Sequence, residues 1–306
     1  MFIKIKSKAL NLITCKNNEG EFKLRQSLSE ERINFLKEKS SEARKRVVET
    51  VHYAGAGHMG GPMSAVDVLI HLYFNEMNIS PEDPRASDRD RFVLSKGHSA
   101  VGLYSVLAVR GYLPLEELKT FDSLNSRLQA HPDMNALPGL DMSTGSLGQG
   151  LSAALGIALG AKLQNKEFRT YCMVGDGESQ EGQIWEAADV ASKYELDNLV
   201  AILDYNKLQQ FGWETEDQTR KVPVANPEKR WEAFGWNVIN IDGHDHKQIG
   251  DALKEARGVK GKPTIIIANT VKGKGVSFME NAYLWHSRVP TDEEYKNAIQ
   301  EIEAGV

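Results

Sequence analysis

The chain has 306 residues, 41% of them hydrophobic and 26% charged, enough to bury the core of one large domain or two modest ones. Its 37 basic and 42 acidic residues leave a net charge of −5, which argues against a nucleic-acid backbone as partner. Aliphatic stretches such as Ile265 to Ala268 are far short of the ~20 residues of a membrane helix, and Cys15 and Cys172 are too few for a disulfide framework or a cysteine-rich zinc site.

Residues 1–27 alternate lysines with apolar side chains and have neither an apolar signal core nor a small-residue cleavage site, so they read as the lead-in of a cytoplasmic protein. The spacing of Ile33, Leu36, Val47, Val48 and Val51 predicts a helix over Ser29–Tyr53. The glycine cluster Gly55–Gly61 ends it. A second, apolar helix follows Pro62 through Val66, Leu69, Ile70 and Phe74. Asn78 to Asp90, with two prolines and many charges, is a surface loop. The strand-like Arg91–Leu94 then leads into a helical pattern over Lys96–Arg110.

After Gly145, helices and short apolar strands alternate. Helices are predicted over Leu147–Leu163, Gly182–Tyr194, Pro227–Phe234 and His246–Ala256, and strands over Arg169–Val174, Leu199–Leu203, Asn237–Ile241 and Pro263–Asn269. Strands this uniformly apolar are covered on both faces, so the fold class is α/β, a doubly wound, mostly parallel sheet flanked by helices. Ligands of such sheets sit outside the carboxyl ends of the strands. No linker divides residues 28–306, which read as one domain. Cys172, inside the strand at 169–174, reads as a small packed hydrophobe.

Gly175-Asp176-Gly177 closes one of those strands, and Asp204-Tyr-Asn206-Lys-Leu208 closes the next. On neighbouring parallel strands, Asp176, Asn206 and a main-chain carbonyl near Leu208 would bring three oxygens to one point. That suits a hard cation such as Mg²⁺ with room for phosphate. One carboxylate beside one amide avoids piling negative charge against a diphosphate, and Gly177 lets the main chain donate its N–H to a phosphate. A lone Gly-Asp-Gly is an ordinary turn; the pair at the ends of successive strands is what points to a site.

Gly-Asp-Gly followed by Asn about thirty residues later resembles the diphosphate–magnesium signature of thiamine-diphosphate enzymes. Four further segments resemble the amino-terminal half of a transketolase: Gly57-His58-Met-Gly-Gly-Pro62, Arg91-Phe-Val-Leu-Ser-Lys-Gly-His98, Ala130-His131-Pro132 and Ser143-Thr-Gly-Ser-Leu-Gly-Gln-Gly150. The likeness runs from about residue 28 to 290. It implies thiamine diphosphate and Mg²⁺ as cofactors, with Asp176, Asn206 and the Leu208 carbonyl as metal ligands. It also implies Gly177 and His98 at the diphosphate, Gly145 and Leu147 at the aminopyrimidine ring, and His58 and His131 against sugar hydroxyls. His286, in Leu284-Trp-His-Ser287, is a candidate fourth histidine of the set, although its neighbours match less well. Histidines suit the implied chemistry, because a sugar hydroxyl must lose a proton when a C–C bond breaks and an aldehyde oxygen must gain one. Ser146 stands where many members have proline.

Other patterns point elsewhere. Gly55-Ala-Gly-His-Met-Gly60 satisfies G-x-G-x-x-G but follows a helix rather than a strand, and Lys272-Gly-Lys-Gly275 lacks P-loop spacing. His244 and His246 imitate a metal pair but open a predicted helix outside any family motif. The Ile184, Trp185, Ala188, Ala191 stripe reads as core or interface, and Glu181 as a candidate for a buried carboxylate relay at an interface.

In the family, the glutamate beside the aminopyrimidine and the residues gripping the sugar phosphate lie in a second domain downstream. The sequence ends at Val306 before one begins. The resemblance therefore implies the first of two split subunits, inactive alone and assembled as α₂β₂ with a partner carrying the pyrimidine-binding domain. The implied reaction moves a two-carbon ketol unit between sugar phosphates. Rival readings are the α subunit of a thiamine-dependent 2-oxo acid dehydrogenase, a relative acting on sulfo- or branched sugars, and a non-catalytic scaffold.

Overall fold

Five strands pair side by side, all parallel: β1 (Arg91–Leu94), β2 (Thr170–Gly175), β3 (Leu199–Tyr205), β4 (Asn237–Asp242) and β5 (Thr264–Asn269), in the spatial order β1-β2-β3-β5-β4. The computed structural model describes residues 28–210 and 226–305, with the backbone alone of segments 13–16, 22–25, 213–214 and 220–221. Segments 13–16 and 22–25 pair antiparallel; the rest of the expected lead-in, residues 1–27, lies outside the described residues.

Eight helices are described: α1 (Glu30–Ala54), α2 (Gly60–His71), α3 (Ala100–Arg110), α4 (Gln149–Leu163), α5 (Gly182–Lys193), α6 (Pro227–Ala233), α7 (His246–Gly258) and α8 (Asp292–Ala304). Strand side chains alternate between two cores. Phe92, Leu94, Tyr171, Met173, Val200, Ile202 and Ile266 meet α1, α2, α3, α7 and α8, while Val93, Cys172, Val174, Ala201, Leu203, Ile265 and Ile267 meet α4, α5 and α6. This period-two division between two apolar layers is why the strands read as unbroken hydrophobic runs. Cys172 is buried and free, and burial pushes its thiol well up.

The first helix begins where Ser29 accepts the Arg32 N–H at 3.2 Å and ends at Gly55, which is left-handed at φ 64°. The second starts at Gly60, two residues before Pro62. The predicted helix over 96–110 resolves into a 3₁₀ turn at Gly97–Ser99 followed by α3, and the one over 147–163 starts at Gln149 because Gly148 turns left-handed. Helix α8 has no counterpart among the elements predicted from the sequence. It nonetheless carries a capping box, in which Thr291 and Glu294 satisfy each other's backbone N–H groups.

Strand β3 connects through α6 on one face to the edge strand β4, and α7 on the other face returns the chain to β5 between them. The helices that follow β3 and β5 in the chain, α6 and α8, lie on opposite faces of the sheet, the arrangement that opens a crevice at the carboxyl edge.

Candidate active site

The register pairs Gly175 with Asp204 and Asp204 with Ala268, so the loops after β2, β3 and β5 emerge together. Asp176 and Asn206 are both buried there. Asp176 accepts the Gly177 N–H at 2.8 Å and the Lys207 N–H at 2.7 Å, Lys207 holding a left-handed φ of 65°. Asn206 Oδ1 accepts the Leu208 N–H at 3.1 Å. Burial and the nearby Asp204 push the Asp176 carboxyl up to about 6, partly opposed by its backbone donors and by the Lys272 ammonium. Among the described residues no ion pair reaches Asp176. A buried carboxylate without an ion pair, beside an amide oxygen and a main-chain carbonyl, is a donor set that fits a divalent oxygen-seeking metal.

Beneath lies a compensated charge pair. Lys96 and Asp204, each no more than 2% exposed, form an ion pair; Asp204 also accepts the hydroxyls of Ser64, at 2.6 Å, and Thr270. Burial opposes the Asp204 charge, yet Lys96 and these donors hold its carboxyl below the usual range. Lys96 Nζ donates to the Gly61 carbonyl at 3.1 Å. Glu178 knits the surrounding loops together by accepting from Ser95 Oγ at 2.6 Å, Gly148 N–H at 2.9 Å and Gly175 N–H at 3.0 Å.

Three histidines face one another across the pocket, with ring centroids 5.0 Å apart for His58–His98, 5.2 Å for His58–His286 and 5.3 Å for His98–His286. Backbone pairing brings two of them together, since the Met59 N–H donates to the His286 carbonyl at 3.2 Å. Burial, with Lys96 and Lys272 nearby, lowers His98 to about 2 and His286 to about 3, and burial also lowers His58. The sequence expectation of imidazoles titrating near working pH therefore does not describe this pocket, whose walls keep these rings neutral. His131 packs against Gly145, where a Cβ would stand 3.3 Å from its ring. Gly97 seats the same loop, a Cβ there meeting Gly145 N and Thr144 C at 2.8 Å.

A cavity of about 570 Å³ is lined by His58, His98, His131 and His286, by Gly145, Leu147 and Gly177, and by Asp176, Asn206 and Leu208. Every candidate site residue read from the sequence thus faces one space. Glu181 stands exposed on its rim, and Leu147 is 37% exposed. A larger groove of about 990 Å³ adjoins it across Asn206 and Leu208, with Asn240, Gln248, Asn269 and Asn281 in its wall.

Sequence reasoning misses Lys96, Asp204 and Lys272. Lys96 stands in the motif quoted for His98, and Lys272 reads in sequence only as part of a failed P-loop match. His244 and His246 prove to be structural. His244 Nδ1 lies 2.7 Å from Asp67, its Nε2 accepts the Val271 N–H at 2.8 Å, and Arg44 grips the same Asp67 through two nitrogens. His246, fully buried, lies 3.2 Å from Ser40 Oγ. Among the described residues no cluster of three His, Cys, Asp or Glu side chains could hold a metal, and no helix is long and apolar enough to cross a membrane.

Residues 37–302 match the family model described as transketolase, thiamine diphosphate binding domain. The 6-deoxy-6-sulfo-D-fructose transketolase subunit SqwG of Clostridium sp. (strain MSTE9) is 44% identical over 276 residues, covering 90% of this chain and 98% of that protein. An apulose-4-phosphate transketolase subunit of Phocaeicola vulgatus is 41% identical over 270 residues, covering 88% and 94%. Among solved structures, transketolase from Campylobacter jejuni aligns at a TM-score of 0.81 and 35% identity, covering 89% of this chain but 43% of that one. With sequence, fold and site geometry in agreement, the chain belongs to the transketolase family and comprises its thiamine diphosphate binding domain.

Proposed function

We propose that this chain is the diphosphate-binding half of a two-chain transketolase, which transfers a two-carbon ketol unit between sugar phosphates once a partner bearing the pyrimidine-binding domain joins it. The observation that carries the reading is the Asp176 carboxylate, buried without an ion pair among the described residues beside Asn206 and Leu208 in a cavity that four histidines also line. Two relatives covered almost end to end are themselves named as transketolase subunits, which supports a divided enzyme; an α₂β₂ assembly is part of the proposal. The comparisons do not favour a 2-oxo acid dehydrogenase.

In this reading Asp176, Asn206 and the Leu208 carbonyl hold Mg²⁺, Gly177 and His98 meet the diphosphate, and Gly145 and Leu147 meet the aminopyrimidine ring. Bound thiamine diphosphate supplies the electron sink for breaking the carbon–carbon bond. His58 and His131 orient sugar hydroxyls. A neutral imidazole presents one acceptor and one donor, so His58, His98 and His286 can take a hydroxyl proton or hand one to an oxygen as anionic ligands enter and raise their basicity.

The donor sugar is open to a second reading, because the two relatives are named for a sulfonated and a branched sugar. The experiment is to co-express the chain with the product of the adjacent reading frame and assay the purified complex. Thiamine diphosphate and Mg²⁺ would be supplied with a panel of ordinary, sulfonated and branched ketose substrates. Ketol transfer by the complex and none by the chain alone is expected. Full transfer by the chain alone would refute the reading.

A further inference from the structure

Lys272 sits at the junction of the proposed metal site and the histidine cluster. It is 2% exposed, and its Nζ donates to the Leu208 carbonyl at 2.7 Å and lies 2.9 Å from His286 Nδ1. Its stem threads a slot that requires glycine: a Cβ on Gly60 would stand 2.7 Å from Lys272 Cγ and 3.1 Å from the Trp285 carbonyl. The backbone on either side is fixed as well. The Val271 N–H donates to His244, which Asp67 and Arg44 anchor in turn, and the Gly273 N–H donates to the Gly60 carbonyl at 3.1 Å. The ammonium is therefore held in place.

Leu208 is one of the three oxygens read above as metal ligands, and the inference rests on that reading. An ammonium 2.7 Å from a ligand oxygen stands within about 5 Å of any divalent ion that oxygen holds. Like charges at that separation in a partly desolvated site repel strongly. A diphosphate reverses the balance, because its charge attracts the metal and the ammonium alike. We propose that Lys272 is a positioning residue that makes metal binding conditional on the diphosphate: it opposes a bare divalent ion at Asp176, Asn206 and Leu208, and favours the ion when a diphosphate arrives with it. The Asp176 carboxylate by itself would invite any hard cation. The lysine beside it restricts the site to a metal–diphosphate pair, so bare metal cannot fill the pocket and block the cofactor.

The test measures Mn²⁺ binding to the full chain by electron paramagnetic resonance, with and without inorganic pyrophosphate, for the wild type, Lys272→Met and Lys272→Arg. The wild type should bind Mn²⁺ weakly alone and much more tightly with pyrophosphate. Lys272→Met should bind Mn²⁺ alone about tenfold more tightly, and Mn²⁺ with pyrophosphate about tenfold more weakly, a modest share of the direct interaction between such charges. Lys272→Arg, which keeps the cation, should retain the wild-type pattern. Changes of opposite sign separate this role from a structural one, since damage to the fold weakens both. Equal weakening of both in a folded Lys272→Met, or no synergy between Mn²⁺ and pyrophosphate in the wild type, would overturn the proposal, the latter without relying on any variant. If the wild type binds Mn²⁺ under neither condition, the metal-site reading itself falls and this inference goes with it.

Discussion

The neutral histidines make the fold sensitive to mild acid, and the size of the effect follows from the structure. His98, His246 and His286 are lowered to about 2, 4 and 3. Burial is the largest cause in each case. An unfolded histidine titrates near 6.5. Between the folded and unfolded values the unfolded chain binds more protons, so stability is complete well above 6.5 and is lost as the pH falls below it. At pH 5.5 each ring that stays neutral costs about 1.4 kcal/mol, against about 0.2 kcal/mol at pH 7. The result depends only on the folded values lying well below 5.5. Together the three rings should remove ~4 kcal/mol between pH 7 and 5.5, a large part of the ~5–15 kcal/mol typical of a domain. Asp176, pushed up to about 6, works the other way and offsets part of the loss. Urea denaturation of the unliganded chain at the two pH values measures the total, and His98→Gln should reduce the pH-dependent part by about a third. Inorganic pyrophosphate should also reduce it, since an anion stabilises the imidazolium. A urea midpoint that is the same at pH 7 and 5.5 in both chains would refute the argument that these rings are held neutral.

Asp67→Asn removes the charge that Arg44 and His244 share in a buried setting, and should cost about 3–5 kcal/mol in urea denaturation. Asp176→Ala should leave the fold intact, as judged by circular dichroism, while abolishing the quenching of tryptophan fluorescence by thiamine diphosphate with Mg²⁺. His131→Ala should slow turnover of the assembled enzyme with less effect on the cofactor concentration needed for half-maximal activity. Gly150→Ala drives a Cβ into the backbone of Ser95, under the loop that carries Lys96 and His98; it should destabilise the chain by about 1–3 kcal/mol and weaken cofactor retention in equilibrium dialysis.

What can be read from the sequence divides along physical lines. The strands are legible because both faces are buried, leaving runs such as Ile265–Ala268 with no polar interruption. Asp176 and Asn206 are legible as a pair because each ends a strand, and parallel neighbours deliver strand ends to one edge. Lys96 and Lys272 are not, because a lysine in sequence looks like a solvated charge. Only the fold reveals that one lies against Asp204 and the other runs past Gly60 to a carbonyl. His244 and His246 mislead in the opposite sense. Their spacing suits a metal, but Asp245 between them caps α7, and Asp67 and Ser40 on distant helices are what they bind. Helix α8 shows a signal present but unread, since Thr291 and Glu294 spell its start.

The charges of the unliganded pocket explain why cofactor and fold should be linked. Lys96 is neutralised by Asp204, and Lys272 leans on a carbonyl and an imidazole; Asp176 has backbone donors and the field of Lys272 but no ion pair among the described residues, and three imidazoles are held uncharged. The desolvated Asp176 carboxylate and the uncharged imidazoles are each a cost to the folded chain. In the proposed reading a divalent metal would meet the need of Asp176, and a diphosphate would lie near Lys272 and the histidines. Because the two ligands carry opposite charge, neither would relieve all of these costs. Binding both to the folded chain and neither to the unfolded one must raise stability, by an amount set by their concentrations relative to their dissociation constants. On the proposed reading, the free energy that burial costs Asp176 and the imidazoles would become selectivity for the paired ligand.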